Sequence, residues 1–440
     1  MNEIRNMSIR NLLLLSLSLI PFLFSACKKD NTEIPVKAKV EWMKVLDESV
    51  SGNMKDDALL GQNGRVLTDA YDNIYVYYFS SQPKSAIVLK CDPHGAILWR
   101  TVIGDCIPMD MALKPDGHLA LAVRDFPGNE NVITLFDFAP DGTMNQYRIV
   151  HVTIGGSFGV LNATMFAMQD NSILISGVYL SQFFVGGPVT HEGYFLRLNP
   201  NYVKEYNFIT LFLNFGTTKS FEQTSILPVS NNQFIAQLSY KGDEVQSDSL
   251  TYGYFTVLSD PDTSLADTSF YYNTGFYKQS SGNYGGFYNR YSDRMIKSGA
   301  YNIHHFSAPV SVTPGGTFST PVTNGFIRIG DDAQIIDTIP FNLPEGYRVL
   351  SCNKGANGFL MTAYKARAFD VPGDYSAYQT LFLVVDNNWQ INSRFSFQEF
   401  YSDVFPSCAP TSDNGYIIMG KVQSFNGPAY KLVLMKWNGS

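Results

Sequence analysis

Long runs rich in Ala, Glu, Lys or Leu are few in this sequence of 440 residues. That scarcity argues against a helical fold. Charge is also sparse, at 16% of residues, and the net charge of −7 leaves no concentrated basic surface of the kind that binds phosphate backbones. No nucleic-acid partner is expected. The sequence has no zinc-protease helix motif, no phosphate loop and no paired-Cys zinc spacing. Its one long apolar run, Leu12 to Phe24, is too short to favour a bilayer-spanning helix.

What is present is aromatic and turn-forming: 32 Phe, 26 Tyr, 35 Gly and 21 Pro in a chain that is 45% hydrophobic. This composition predicts a folded all-β protein with a large core.

The first segment has the order of a secretory leader. Arg5 and Arg10 precede the apolar run, and Ser25-Ala26-Cys27 follows it. Phe24-Ser25-Ala26-Cys27 resembles the bacterial lipobox, with Phe24 where Leu is usual; the resemblance implies removal of residues 1–26 and acylation of Cys27. The segment Cys27-Lys28-Lys29-Asp30-Asn31-Thr32-Glu33 is similar to the charged tails of Bacteroidetes outer-membrane lipoproteins. A protein lipid-anchored in the outer membrane, at the cell surface or on its periplasmic face, is the expectation. Residues 27–37 then form the acylated Cys and its tether.

From residue 38 the chain repeats itself. In Tyr71 to Val102, Asp72-Asn73 turns into a β-rich run at Ile74 to Tyr78, Ala86 to Lys90 is a second run, and Asp92-Pro93-His94-Gly95 turns into a third ending at Trp99. Comparable layouts recur around Lys114-Pro115-Asp116-Gly117, Gln169-Asp170-Asn171, Ser230-Asn231-Asn232, Lys297-Ser298-Gly299, Ala356-Asn357-Gly358 and Ser412-Asp413-Asn414-Gly415. The last copy ends at Ser440 before its outermost strand. A strand is left over at the start, Ala38 to Leu46, in which Trp42 corresponds to Trp99. Seven such units predict a seven-bladed β-propeller of four-stranded blades over 38–440, closed by the N-terminal strand joining the last blade. Two stacked β-sandwiches are the alternative.

Asp92-Pro93-His94-Gly95-Ala96-Ile97-Leu98-Trp99 and Thr411 to Gly420 are similar to repeats of quinoprotein-like and related secreted propellers. Here Asp92 and Gly95 stand one residue closer than in the quinoprotein repeat, and only some copies keep the Trp. No quinone or other cofactor is therefore implied.

Candidate chemistry is thin. Gly155-Gly156-Ser157-Phe158-Gly159 spells a nucleophile elbow but precedes no helix and reads as an inter-blade turn. His304 and His305 are neighbours on a strand and so project to opposite faces, which disfavours a shared metal. Asp260, Asp262 and Asp267 have acidic spacing, but Leu265 replaces the Gly a calcium loop needs, so a solvated turn is preferred. Cys352 and Cys408 precede equivalent turns by six and seven residues and could pair as a disulfide; separately buried thiols are the preferred reading. Cys91 and Cys106 complete the set.

The most suggestive binding feature is Tyr271, Tyr272, Phe276, Tyr277, Tyr284, Phe287, Tyr288 and Tyr291, set among Gly, Ser and Asn. Aromatic faces beside amides and hydroxyls suit sugars or a protein partner, although the same residues also suit simple packing of a long blade. The expected function is a surface-exposed, non-catalytic lipoprotein that binds a glycan or protein. Two alternatives are a polysaccharide-degrading propeller with a central-channel site and a scaffold subunit of an outer-membrane assembly.

Overall fold

Short stretches of β-branched and aromatic residues separated by four-residue turns give this chain its architecture. The structure, a computed structural model, describes residues 39–50, 64–81, 83–125, 132–150, 156–182, 189–209, 220–230, 233–241, 250–259, 275–280, 295–306, 310–313, 325–343, 347–366, 378–395, 407–423 and 430–438.

A lone strand opens it, β1 (Lys39–Val50), followed by a sheet of β2 (Gly64–Thr68), β3 (Ile74–Ser81), β4 (Lys84–Cys91) and β5 (Ile97–Gly104) in that order. The next sheets repeat the order: β6 (Cys106–Leu113), β7 (Leu119–Asp125), β8 (Val132–Phe138) and β9 (Met144–Val150), then β10 (Gly156–Ala167), β11 (Ile173–Gln182), β12 (Val189–Leu198) and β13 (Lys204–Ile209). Then come β14 (Ser220–Ser230), β15 (Gln233–Lys241), β16 (Leu250–Ser259) and β17 (Gly275–Ser280). After these run β18 (Ile296–Ser298), β19 (Tyr301–Phe306), β20 (Val310–Thr313), β21 (Gly325–Ile329) and β22 (Ile335–Pro340). The chain ends with β23 (Arg348–Lys354), β24 (Gly358–Ala366), β25 (Tyr378–Asp386), β26 (Ile391–Phe395), β27 (Ser407–Pro410), β28 (Tyr416–Gln423) and β29 (Tyr430–Asn438).

All the strand pairings are antiparallel, and the fold is an all-β propeller of small four-stranded blades. The burial pattern shows why. Strand β4, third of its sheet, is buried at every position after Lys84, whereas β5, the fourth, alternates between exposed and half-buried. Strands covered on both faces need continuous apolar runs, and only the outer strand is left with the alternation of a half-solvated one.

The expected closure is present. Strand β1 pairs with β29 from Lys39↔Asn438 to Val50↔Tyr430, giving the sheet order β1-β29-β28-β27. The Lys436 ammonium lies 3.4 Å from Glu41 of β1 and 2.5 Å from Asp413, and the Asn438 amide donates to Glu41. The first and last sheets share one apolar layer, in which Val66, Val76 and Leu89 meet Ile417, Met419 and Leu434.

The expectation of seven equal four-stranded blades needs correction. Among the described residues six sheets are four-stranded, and the remaining one has five strands in the order β14-β15-β16-β17-β20. Strand β20 falls in sequence between β19 and β21 of the following sheet, yet pairs with β17 through Phe276↔Thr313 to Gln279↔Val310. An open outer strand offers unpaired backbone groups, and a connection long enough to turn back can satisfy them.

Innermost strands of neighbouring sheets are joined by side chains. The Val66 amide donates to Ser407 Oγ (3.0 Å) and Thr68 Oγ1 to the Pro410 carbonyl (2.5 Å). Asp110, fully buried at a bulge of β6, ties three sheets: one carboxylate oxygen accepts from Arg65 of β2 (2.8 Å), the other from the Met165 amide of β10 (2.6 Å).

Candidate functional site

The turns at one end of the sheets share a single chemistry. Gly95 donates its amide to the Asp92 carbonyl while the Asp92 amide donates to Ala96, and the same pair of bonds recurs at turns ending in Asp72, Gly117, Gly142, Asn171, Tyr202, Ala333, Trp389 and Asn414. All nine residues have φ between 61° and 89°. This is a turn plus one left-handed residue, a connection that matches the twist of paired strands.

Turn carboxylates supply extra bonds: Asp92 Oδ1 accepts from the amides of His94 and Ala96, and Asp116, Asp141, Asp170, Asp332, Asp386 and Asp413 act similarly. Many of the acidic residues scattered through the sequence are thus committed to turns.

Gly95 and Gly142 have a second reason to be Gly. A Cβ on Gly95 would lie 2.9 Å from the Trp42 ring, and one on Gly142 2.8 Å from Trp99. The outer-strand Trp of each of these sheets packs onto the turn of the next. At the following seam the equivalent turn carries Tyr202, and the ring of Tyr147 rests on it with centroids 4.5 Å apart.

That exception organises a dense group of titratable side chains. Tyr202 donates its hydroxyl to Asp137 Oδ1 (2.6 Å), and the Lys114 ammonium lies 3.2 Å from the same oxygen and 4.9 Å over the Tyr202 ring. His118 Nδ1 lies 3.0 Å from Asp137 Oδ2. Lys114 and His118 flank one turn, held by the Lys114 amide bonding to the His118 carbonyl and the His118 amide to Asp116 Oδ1. Asp137 sits beside them on β8, opposite Ala120. Tyr202 reaches in from the next sheet on a turn that Asn199 stiffens by accepting from the amides of Asn201 and Val203.

Side-chain exposure falls from 33% at His118 to 7% at Asp137 and 4% at Lys114. Burial first, then the hydrogen bond and charge of Asp137, push the Tyr202 phenol well above its ordinary range, so it stays protonated as a donor. In the tautomer that donates from Nδ1 to Asp137, the His118 ring presents Nε2 as an acceptor. The pair can therefore position an imidazole to accept or donate a proton at its outer edge, as in other His–carboxylate dyads.

Neither Asp137 nor Tyr202 stands out from the sequence as a candidate site residue. Two signals were there: Lys114 ahead of a Pro-Asp-Gly turn, and Tyr202 at the position held by Gly95 and Gly142.

The expected binding aromatics are only partly described. Phe276 and Tyr277 lie on β17, between β16 and β20; Tyr271, Tyr272, Tyr284, Phe287, Tyr288 and Tyr291 lie outside the described residues, as do Cys27, Gly155 and Asp260 to Asp267. Gly156 to Gly159 open strand β10 rather than forming the turn expected of them, because this stretch pairs with β11. His304 and His305 are adjacent on β19.

Cys352 and Cys408 stand on the first strands of consecutive sheets, and both are buried free thiols. Cys352 belongs to the apolar layer with Ile303 and Phe326 and Cys408 to the next, with Phe382 and Trp437. Burial raises both thiols far above their ordinary range. Among the described residues no group of three or more His, Cys, Asp or Glu could hold a metal ion, and no helix is long and apolar enough to cross a membrane.

No family model and no curated protein matches this sequence. Among solved structures the chain is similar to the polysaccharide lyase Uly1, with 8% identity and a TM-score of 0.48 over 94% of this chain and 96% of that one. It is similar to the α-L-arabinanase of Penicillium chrysogenum, with 9% identity and a TM-score of 0.45 over 91% and 98%. A third is the GH93 α-L-arabinofuranosidase of Fusarium graminearum, with 10% identity and a TM-score of 0.43 over 90% and 97%.

Proposed function

We propose that this protein is an outer-membrane lipoprotein, acylated at Cys27, whose seven-bladed propeller binds a glycan without chemistry of its own. The supporting observation is the coincidence of two irregularities. The sheet that breaks the four-strand rule is the one whose fourth strand, β17, carries Phe276 and Tyr277 from the aromatic segment. Strand β17 pairs with β16 on one side and β20 on the other, which holds the backbone that carries these two residues. Tyr and Phe among Gly, Ser and Asn suit the alternating apolar and hydroxylated faces of sugars.

A glycan array probed with the full chain tests this reading. A hit whose binding weakens at least tenfold in a Tyr277→Ala, Tyr288→Ala variant of unchanged circular dichroism supports it. Absence of any glycan hit, with capture of a protein instead, would replace it.

The second reading is a polysaccharide-cleaving propeller, and the His118–Asp137 pair favours it. An imidazole oriented by a buried carboxylate is suited to proton transfer during glycosidic or uronate chemistry. New reducing ends or an unsaturated product, lost in His118→Ala, would favour cleavage over binding alone.

A further inference from the structure

Strands β2, β6, β10 and β27 each stand at the inner end of a sheet, so among the described residues one edge of each meets no further strand. The amides on that edge need other acceptors. Two of them are served in the same way. The Val66 amide of β2 donates to Ser407 Oγ of β27 (3.0 Å), and the Met165 amide of β10 donates to Asp110 Oδ2 of β6 (2.6 Å). Val66 and Met165 stand three residues before the turns that open at Asp69 and Met168, while Ser407 and Asp110 stand four residues before the turns that open at Thr411 and Lys114. The repeat thus sets an acceptor side chain of one sheet against an inner amide of the next.

Strand β6 breaks this rule. Its equivalent residue is Met111, three before Lys114, and the side chain that should serve it is Arg65 of β2, four before Asp69. Arginine has donors only. Arg65 Nη1 instead donates to the Met111 carbonyl (2.6 Å) and to Asp110 Oδ1 (2.8 Å). The amide and carbonyl of one strand residue point to the same side, so the Met111 amide faces the same open edge. No side chain among the described residues accepts from it.

The guanidinium is held by one nitrogen. Its Nε and Nη2 have no acceptor among the described residues, and the Arg65 side chain is 23% exposed whereas that of Asp110 is fully buried. Asp110 is fixed in turn by the Met165 amide. A preorganised guanidinium edge and an unmatched backbone amide lie together where the neighbouring sheets place acceptors. What completes such a set is an acceptor from outside.

We propose that the inner edge of β6 is an anion site in which Arg65 and the Met111 amide hold a carboxylate. Joined to the glycan reading above, on which this extension rests, it makes the ligand a glycan that carries uronic acid. A planar carboxylate matches the guanidinium fork. Asp110 already balances the Arg65 charge and the chain carries −7 overall, which favours a single negative charge over a phosphate dianion.

The test titrates the full chain in detergent with sodium glucuronate, against glucose plus sodium chloride at equal ionic strength, and follows the NMR resonances of the Met111 amide and the Arg65 Nε. The proposal expects saturable shifts of both with glucuronate alone. Affinity should weaken about tenfold or more in Arg65→Lys, which keeps a cation beside Asp110 but loses the fork. Equal shifts with the control, or unchanged affinity in Arg65→Lys, overturn the site; should that variant not fold, the shifts of the unmodified chain decide. Saturation by sodium phosphate but not by glucuronate overturns carboxylate as the ligand. Glycan-array hits confined to neutral sugars overturn uronic acid and leave glycan binding standing. Glucuronate shifts without any glycan hit uphold the anion site and overturn the glycan reading.

Discussion

Trp42, on the first strand of the chain, packs against Gly95, on a turn of the sheet that follows the seam it closes: a Cβ at Gly95 would stand 2.9 Å from the Trp42 ring. Trp99 stands in the same relation to Gly142. The N-terminal strand thus occupies the position of an ordinary outer strand, although its sheet partners come from the far end of the sequence.

Gly95→Ala combines a left-handed backbone (φ 74°) with a ring contact that must yield. It should cost about 2–3 kcal/mol. Gly117→Ala has a similar φ of 85° but meets only the Pro140 ring at 3.5 Å, and should cost about 1 kcal/mol. Urea unfolding of the two variants measures the difference, and equal losses would mean that the Trp42 contact contributes nothing.

Asp110→Ala leaves the Arg65 guanidinium and the Met165 amide without their carboxylate. The expected loss is about 3 kcal/mol, because an abandoned buried partner costs more than the pair gains. In an Arg65→Ala background the same change should cost less, and a double-mutant cycle reads the coupling.

Tyr202→Phe removes one donor from buried Asp137 while keeping the ring stacked on Tyr147. The loss should be about 2 kcal/mol in chemical denaturation. Tyr147→Phe, with no hydroxyl bond to Asp137 to lose, should change stability far less.

Asp413 gives a pH dependence with a defined sign. Burial raises its carboxyl, but bonds from Lys436, Thr411 and the Gly415 amide outweigh burial and hold it at about 2. A carboxyl lowered in the folded state stabilises fully above its unfolded value of about 4 and loses that contribution as pH falls toward 2. Asp413 is 43% exposed, so the effect is below about 1 kcal/mol after screening. Asp413→Asn should flatten the loss of stability between pH 4 and pH 2 in melts along a pH series, with little change between pH 6 and pH 8.

Much of the fold was legible because a propeller repeats its local chemistry. Trp99 matched Trp42, and the turn at Asp92 to Gly95 recurred, so the closing strand could be placed by comparing the chain with itself. Strand β20 was not legible: Val310–Thr313 is a short β-rich run like any other, and nothing local says that it pairs with the preceding sheet. The Asp137 group was hidden for a related reason. Its members come from one strand and two turns separated by up to 88 positions along the chain, from Lys114 to Tyr202; strand pairing brings Lys114, His118 and Asp137 together and the seam adds Tyr202. Cys352 and Cys408 show the converse, since equivalent spacing placed them on consecutive first strands without putting them in one layer.

Closure by β1 is tested most directly by removing it. A protein lacking residues 39–50 exposes the edge of β29 and the layer around Val66 and Met419. Its melting temperature should fall by about 10 °C or more, or its cooperative transition should vanish, and a peptide of residues 39–50 added in trans should restore part of the loss. An unchanged melting temperature and an unchanged monomer would contradict closure of the propeller by its N-terminal strand.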